Sequence, residues 1–147
     1  MDGKNNYVYD MEFISNYDGD SLWIWISKTW DFGFEDYVSK RKKINVRLWQ
    51  CDTPELRDKR PDFKLAAELA KKKTRVWIEN EPCDFISLDK PDKYGRALGD
   101  FRRADHSTLV QFLLENNYAV RYQGQNKQLV QQAHERNIAV LRERGEI

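Results

Sequence analysis

The chain has 147 residues and a mass of 17.6 kDa, enough for one domain, so 1–147 is taken as a single domain. With 40% hydrophobic, 33% charged and 13% aromatic residues it is not a disordered chain, and its longest apolar run, Leu22–Ile26, is far short of the roughly 20 residues that a membrane helix needs. A net charge of +1 excludes polyanion binding by bulk charge, so a phosphate or nucleic-acid site must come from local clustering.

The opening MDGKNNYVYD has no apolar stretch of the signal-peptide kind, and an intracellular protein with no membrane partner is expected. Strands are expected at Val8–Ile14, at Ser21–Ser27, which is rich in β-formers, and at Lys43–Cys51. In the last, Ile44, Val46 and Leu48 alternate with Asn45, Arg47 and Trp49, the period of a half-buried strand. Thr29–Lys42 between them is too long for a tight turn and reads as an extended hairpin arm or a large loop. Its Trp30, Phe32, Phe34 and Tyr37 either clasp a substrate or partner, or pack on themselves and the barrel.

Pro61 suits the first position of a helix. Leu65 and Leu69, with Ala66 and Ala70, then give an apolar stripe running towards Val76 and Trp77. Asp84–Leu88 and Ala97–Arg102 read as strands around the turn residues DKPDKYG. Ser107 or Asp105 caps a helix through Glu115, and Asn126 starts the last one, with Leu129, Ala133, Val140 and Leu141 as its apolar side. The order βββ-α-ββ-α-α suits a small five-stranded barrel with helices packed on it, an α+β fold. Cys51 and Cys83 read as buried strand positions. With His106 and His134 they contain no close ligand pair, so no zinc site is expected. Both histidines are expected at the surface or at a helix cap.

Three segments carry chemistry: Asp18-Gly19-Asp20-Ser21, Arg47-Leu48-Trp49-Gln50-Cys51-Asp52-Thr53-Pro54-Glu55, and Asp92-Lys93-Tyr94-Gly95-Arg96. Each lies at a strand end, where loops present functional groups. Taken singly, each also occurs as an ordinary turn; their joint occurrence in this order is what is informative. Pro54 makes Thr53 extended and stops the strand, leaving Asp52 and Glu55 at a rigid corner. The odd offset between Arg47 and Asp52 puts them on opposite faces of a regular strand, so a bulge or barrel curvature is needed to bring them together. Asp20 and Asp52 are hard oxygen donors suited to calcium or magnesium. Arginines fit phosphate oxygens through their guanidinium fork. Carboxylates on a hard cation, a further carboxylate near a water and two arginines are the components of phosphodiester hydrolysis.

DGDS…RLWQCDTPE and DKYGRAL resemble the two signature motifs of the thermonuclease family, whose type member is staphylococcal nuclease, and the likeness runs from Asp18 to the C-terminal helix. The resemblance implies a five-stranded OB-fold barrel with three helices. It implies that Asp20, Asp52 and the Thr53 carbonyl hold calcium, with Asp18 beside the metal. Arg47 and Arg96 would grip the scissile phosphate. Glu55 would stand by the attacking water, as general base or as a group that orients it. Lys93 would sit by a phosphate, Tyr94 near the nucleotide, and Tyr122 as a second aromatic of the cleft. The implied activity is a sugar-non-specific, calcium-dependent nuclease acting as a monomer on DNA and RNA, preferring single strands and leaving 3′-phosphates. The same barrel also occurs as a non-catalytic module that binds nucleic acid or protein; that alternative lacks the metal and arginine residues, all of which are present here. Ser21 stands where Thr is usual and Cys51 where an aliphatic residue is usual. Arg57, Lys59 and Arg60 after the corner suit phosphate contacts or form a solvated charge run, as does Arg41-Lys42-Lys43; Lys71-Lys72-Lys73 reads as a solvated helix face.

Overall fold

Five strands close into a barrel in the order β1-β2-β3-β6-β5 in a computed structural model that describes residues 7–147. The polar leader at residues 1–6 lies outside the described residues. The strands are β1 (Tyr7–Asn16), β2 (Ser21–Gly33), β3 (Asp36–Leu48), β5 (Cys83–Pro91) and β6 (Ala97–Arg103). All neighbours are antiparallel except β3 and β6, which pair in parallel from Val46↔Ala97 to Leu48↔Gly99. A second, two-stranded sheet joins β4 (Cys51–Asp52) to β7 (Val120–Arg121). Three helices complete the fold: α1 (Pro61–Asn80), α2 (Leu109–Glu115) and α3 (Lys127–Glu143). This is the α+β, OB-type barrel with three helices that the sequence suggests. Among the described residues no helix is long and apolar enough to cross a membrane.

The expected third strand is two pieces. Alternation runs through Leu48, but Gln50 takes φ +53, which reverses the chain so that Cys51 and Asp52 pair with β7 instead. Thr29–Lys42 is a regular hairpin, its pairing unbroken from Ser21↔Arg47 to Asp31↔Tyr37. Phe34 and Glu35 turn it with φ +58 and +61, the double positive φ that matches strand twist in a two-residue loop. Its aromatics do not pack on the barrel: Trp30, Phe32 and Tyr37 are exposed and Phe34 is fully so.

Leu22, Ile24, Val46, Leu48, Phe85 and Phe101 fill the barrel, with the two Phe rings 5.3 Å apart. α1 lies over it on Phe63, Ala66, Ala67, Ala70, Thr74 and Trp77. The expected stripe is therefore rotated: Leu65 and Val76 are about half exposed. Small residues win the inner face because they let the helix approach the barrel closely. In α3 the buried side is Val130, His134, Ile138 and Leu141, whereas Leu129 is exposed. Asn126 caps α3 as expected, accepting from Gln128 N–H at 2.7 Å. The cap of α2 is Thr108, not Ser107 or Asp105, because His106 at φ +70 turns the chain first; Asp105 accepts from Ser107 instead.

Asp100 ties β6 to α2, its Oδ1 accepting from Phe101 N–H at 2.7 Å and Val110 N–H at 3.1 Å. Burial pushes its carboxyl up to about 6, although those two hydrogen bonds pull it down. The folded chain holds this proton more tightly than the unfolded one, so ionising Asp100 weakens the fold as pH rises from about 4 to about 6. The loss is about 3 kcal/mol. Asp100→Asn keeps an acceptor oxygen without the charge. In urea titrations it should gain on the parent chain between pH 4 and pH 7; an equal difference at both would contradict the assignment.

Candidate active site

The reversal at Gln50 solves the geometric problem posed by the odd spacing of Arg47 and Asp52. Trp49 N–H donates to Gly99 O at 2.9 Å, which fixes the end of β3, and the chain then doubles back. Arg47 Nη1 donates to the Cys51 carbonyl at 2.7 Å and lies 2.8 Å from Asp20 Oδ2; Nη2 reaches Asp52 Oδ1 at 3.4 Å. The bend is thus a left-handed turn, not a bulge, and one guanidinium joins carboxylates from two segments.

Asp20 is placed by its neighbours. Its Oδ2 also accepts from Thr53 N–H at 2.9 Å, and its own N–H donates to Asp18 Oδ1 at 3.1 Å. The turn that carries it is fastened to α1: Thr74 Oγ1 donates to Gly19 O at 2.7 Å, and Asn16 Nδ2 donates to Lys71 O at 2.9 Å. Burial pushes the Asp20 carboxyl well above the usual carboxylate range; Arg47 pulls it down, and the nearby Asp18 adds to the rise. Burial opposes the charge of Arg47 too, but Asp20 and Asp52 outweigh it and hold its proton more tightly.

The facing wall is the turn between β5 and β6. Asp92 Oδ1 accepts from Tyr94 N–H at 2.9 Å and Arg96 N–H at 2.8 Å, and Oδ2 accepts from Arg96 Nε at 2.7 Å. Gly95 supplies the positive φ, +80, that closes this turn. Desolvation opposes ionisation of Asp92, but these three hydrogen bonds hold it below the usual range. Arg96 is therefore clamped through Nε, and among the described residues its two Nη groups have no hydrogen-bond partner.

Arg47, Asp52, Glu55, Lys93, Tyr94, Arg96 and Tyr122 all line one open cleft of about 480 Å³. Tyr94 is 72% exposed, with Lys93 Nζ 5.1 Å and Arg96 Cζ 5.6 Å from its ring centre. Tyr122 hangs from β7 by its N–H, which donates to Gln50 O at 3.0 Å. Glu55 is exposed on the loop after Pro54. Asp20, Thr53 and Asp18 do not line the cleft; they lie behind Arg47. Arg60 is committed elsewhere, to Asp58 at 2.7 Å and Gln131 at 2.7 Å.

Three residues beyond those expected belong here. His134 is not at the surface: it is 1% exposed, and its Nε2 is 2.8 Å from Asp52 Oδ2, while Nδ1 is buried without a partner. Its spacing from Val130, Ile138 and Leu141 marks it as part of the buried stripe, a signal the apolar pattern alone passes over. Asp92 orients Arg96, and Lys127 adds a cation to the cleft wall.

Among the described residues no three His, Cys, Asp or Glu side chains form a metal cluster. The donor set nevertheless fits a hard cation. Asp20 and Asp52 are two carboxylates held by one guanidinium, at 2.8 Å from Arg47 Nη1 and 3.4 Å from Nη2, and Thr53 Oγ1 is a buried oxygen without a partner. Backbone and water oxygens would complete the shell.

A family model described as "Staphylococcal nuclease homologue" matches residues 45–144. That span contains every residue of the cleft and omits Asp18 and Asp20. Among the curated proteins none matches the chain.

Gly19 tests the support beneath Asp20. A Cβ there would fall 2.7 Å from Thr53 Cγ2 and 3.0 Å from the Ala70 Cβ. Overpacking costs about 1–3 kcal/mol, more than the ~0.4–1 kcal/mol that Gly→Ala gains through the unfolded chain. Gly19→Ala should lower the unfolding free energy in a denaturant titration; an unchanged or higher value would mean that the turn is not wedged against Thr53.

Proposed function

The chain belongs to the staphylococcal nuclease homologue family, and from that premise we propose that it is a calcium-dependent phosphodiesterase cutting DNA and RNA strands. The observation that carries this reading is that Arg96, whose Nη groups have no hydrogen-bond partner among the described residues, lines one cleft together with Glu55, Arg47 and Asp52. A phosphodiester seated there meets a cationic fork on one side and a carboxylate on another.

Asp20, Asp52 and the Thr53 carbonyl would hold the calcium ion. When bound, it neutralises charge on a phosphate oxygen. Arg96, held in orientation by Asp92, binds the equatorial oxygens, where negative charge gathers as phosphorus becomes five-coordinate. Arg47 adds a second positive charge from the barrel side. Glu55 takes a proton from the attacking water or holds that water in line with the leaving group. The P–O bond to the 5′-oxygen breaks, that oxygen is protonated from solvent, and the phosphate stays on the 3′ side. Tyr94 offers a ring on which an unstacked base can lie, which favours single strands. With a net charge of only +1, affinity depends on this local cluster, and the protein is proposed to act as a monomer.

A second reading has one observation in its favour. The Arg47 fork is already occupied by Asp20, Asp52 and the Cys51 carbonyl, so a strand could bind without being cut. The domain would then be a nucleic-acid or protein-binding module.

Arg96→Ala and Glu55→Gln separate the two. Loss of one transition-state partner costs roughly 2.7–4 kcal/mol, about a hundredfold to a thousandfold in rate. Each variant, checked by circular dichroism for an intact fold, should fall by that factor in kcat/KM on single-stranded DNA. Activity of Arg96→Ala within about tenfold of the parent would sink the assignment.

A further inference from the structure

The β5–β6 turn has two sides. Asp92, Lys93, Tyr94 and Arg96 border the cleft, whereas Lys90, Pro91 and Gly95 border a second groove of about 510 Å³ lying against β3. The groove is slightly larger than the cleft and is not used by the proposed chemistry. A chain crossing the Lys93–Gly95 crest leaves one and enters the other.

The lining of the groove suits a strand. Lys42, Lys43 and Lys90 are exposed along it, against a single carboxylate, Asp89. None of the three lysines is in a salt bridge among the described residues, in a chain whose net charge is only +1. Trp23 presents a 40% exposed indole there, with Lys43 Nζ 5.2 Å from its ring centre. The crest repeats the pattern, Lys93 Nζ lying over the exposed Tyr94 ring. A cation beside an aromatic face is what one nucleotide of a single strand requires: the ring takes the base and the ammonium the phosphate.

We infer that this groove is an outer subsite for a single nucleic-acid strand whose scissile phosphodiester lies in the cleft. The inference rests on the strand-cleaving reading above for the position of the bond that is cut. It makes substrate length, not net charge, the determinant of affinity.

The test is fluorescence anisotropy with labelled oligothymidylates of about four and about sixteen nucleotides, with a chelator present so that nothing is cut. The parent chain should bind the longer strand at least about tenfold more tightly, and Lys43→Gln/Lys90→Gln should lose most of that increment. The salt slope for the long strand should become shallower by about 1.4, about 0.7 for each phosphate contact removed from a single strand. A double variant that keeps the parent's length preference and slope would overturn the inference, as would a parent chain that binds both lengths equally. A separate cleavage assay with calcium in place of the chelator, on the parent chain, Arg96→Ala and the lysine variant, keeps the two ideas apart. If no protein cleaves but the lysine variant still loses the length increment, the groove stands and the hydrolytic reading falls. If the parent cleaves and the length increment does not depend on the lysines, the reverse holds.

Discussion

A carboxylate as buried as Asp20 needs a positive partner, and Arg47 supplies it at 2.8 Å. Most of the site is arranged around that contact. Removing one member of a buried pair leaves the other charge uncompensated, at a typical cost of about 3–5 kcal/mol, so the pair constrains everything that positions either side chain. The β1–β2 turn must press against Thr53, which is why Gly19 has no room for a Cβ. α1 must lie close enough for Thr74 to reach the Gly19 carbonyl, and Ala66, Ala67 and Ala70 on its inner face allow that approach. The chain must reverse at Gln50, so that Asp52 returns to the same guanidinium. His134 then secures Asp52 from the far side, and α3 becomes part of the site.

What could be read in advance depended on how long each signal is. The period-two run from Ile44 to Leu48 spans enough residues to define a strand and to place Arg47 on it. β4 and β7 are two residues each and have no period to detect; they exist because Gln50 turns and Tyr122 N–H finds the Gln50 carbonyl. The stripe on α1 was placed in part: Ala66, Ala70 and Trp77 are buried, but Leu65, though more apolar than Ala67, is the exposed one of the two. The hairpin arm was legible as an arm, but its exposed aromatics were not predictable, since nothing local tells a packed Phe34 from a solvent-facing one. The second and third motifs contain the cleft's Arg47, Asp52, Glu55, Lys93, Tyr94 and Arg96, whereas Tyr122 came only through the family resemblance and Lys127 carried no signal. His134 was not, because its role depends on helix packing that brings it to a carboxylate in a distant segment.

A nearly balanced charge hides an uneven distribution. Opposite charges pair at the base of the site, where Arg47 meets Asp20 and Asp52. Cations in no salt bridge among the described residues lie outside that centre: Lys93 on the crest, and Lys42, Lys43 and Lys90 in the groove beyond. The β2–β3 ribbon also carries a paired cation, Arg41, stacked 4.3 Å from the Trp25 ring centre and bonded to Glu12. Within this fold the salt-bridged charges and the lysines outside any salt bridge occupy different positions, and the proposed strand contacts fall on the latter.

Cleavage itself is the most direct measurement. The protein would be incubated with single-stranded DNA, duplex DNA and RNA, with calcium or with a chelator, and the products resolved on a gel with their end groups identified. Calcium-dependent cutting that leaves 3′-phosphates, fastest on single strands, is the predicted result. Strand binding without cleavage under any metal would contradict it and leave the cleft a binding surface.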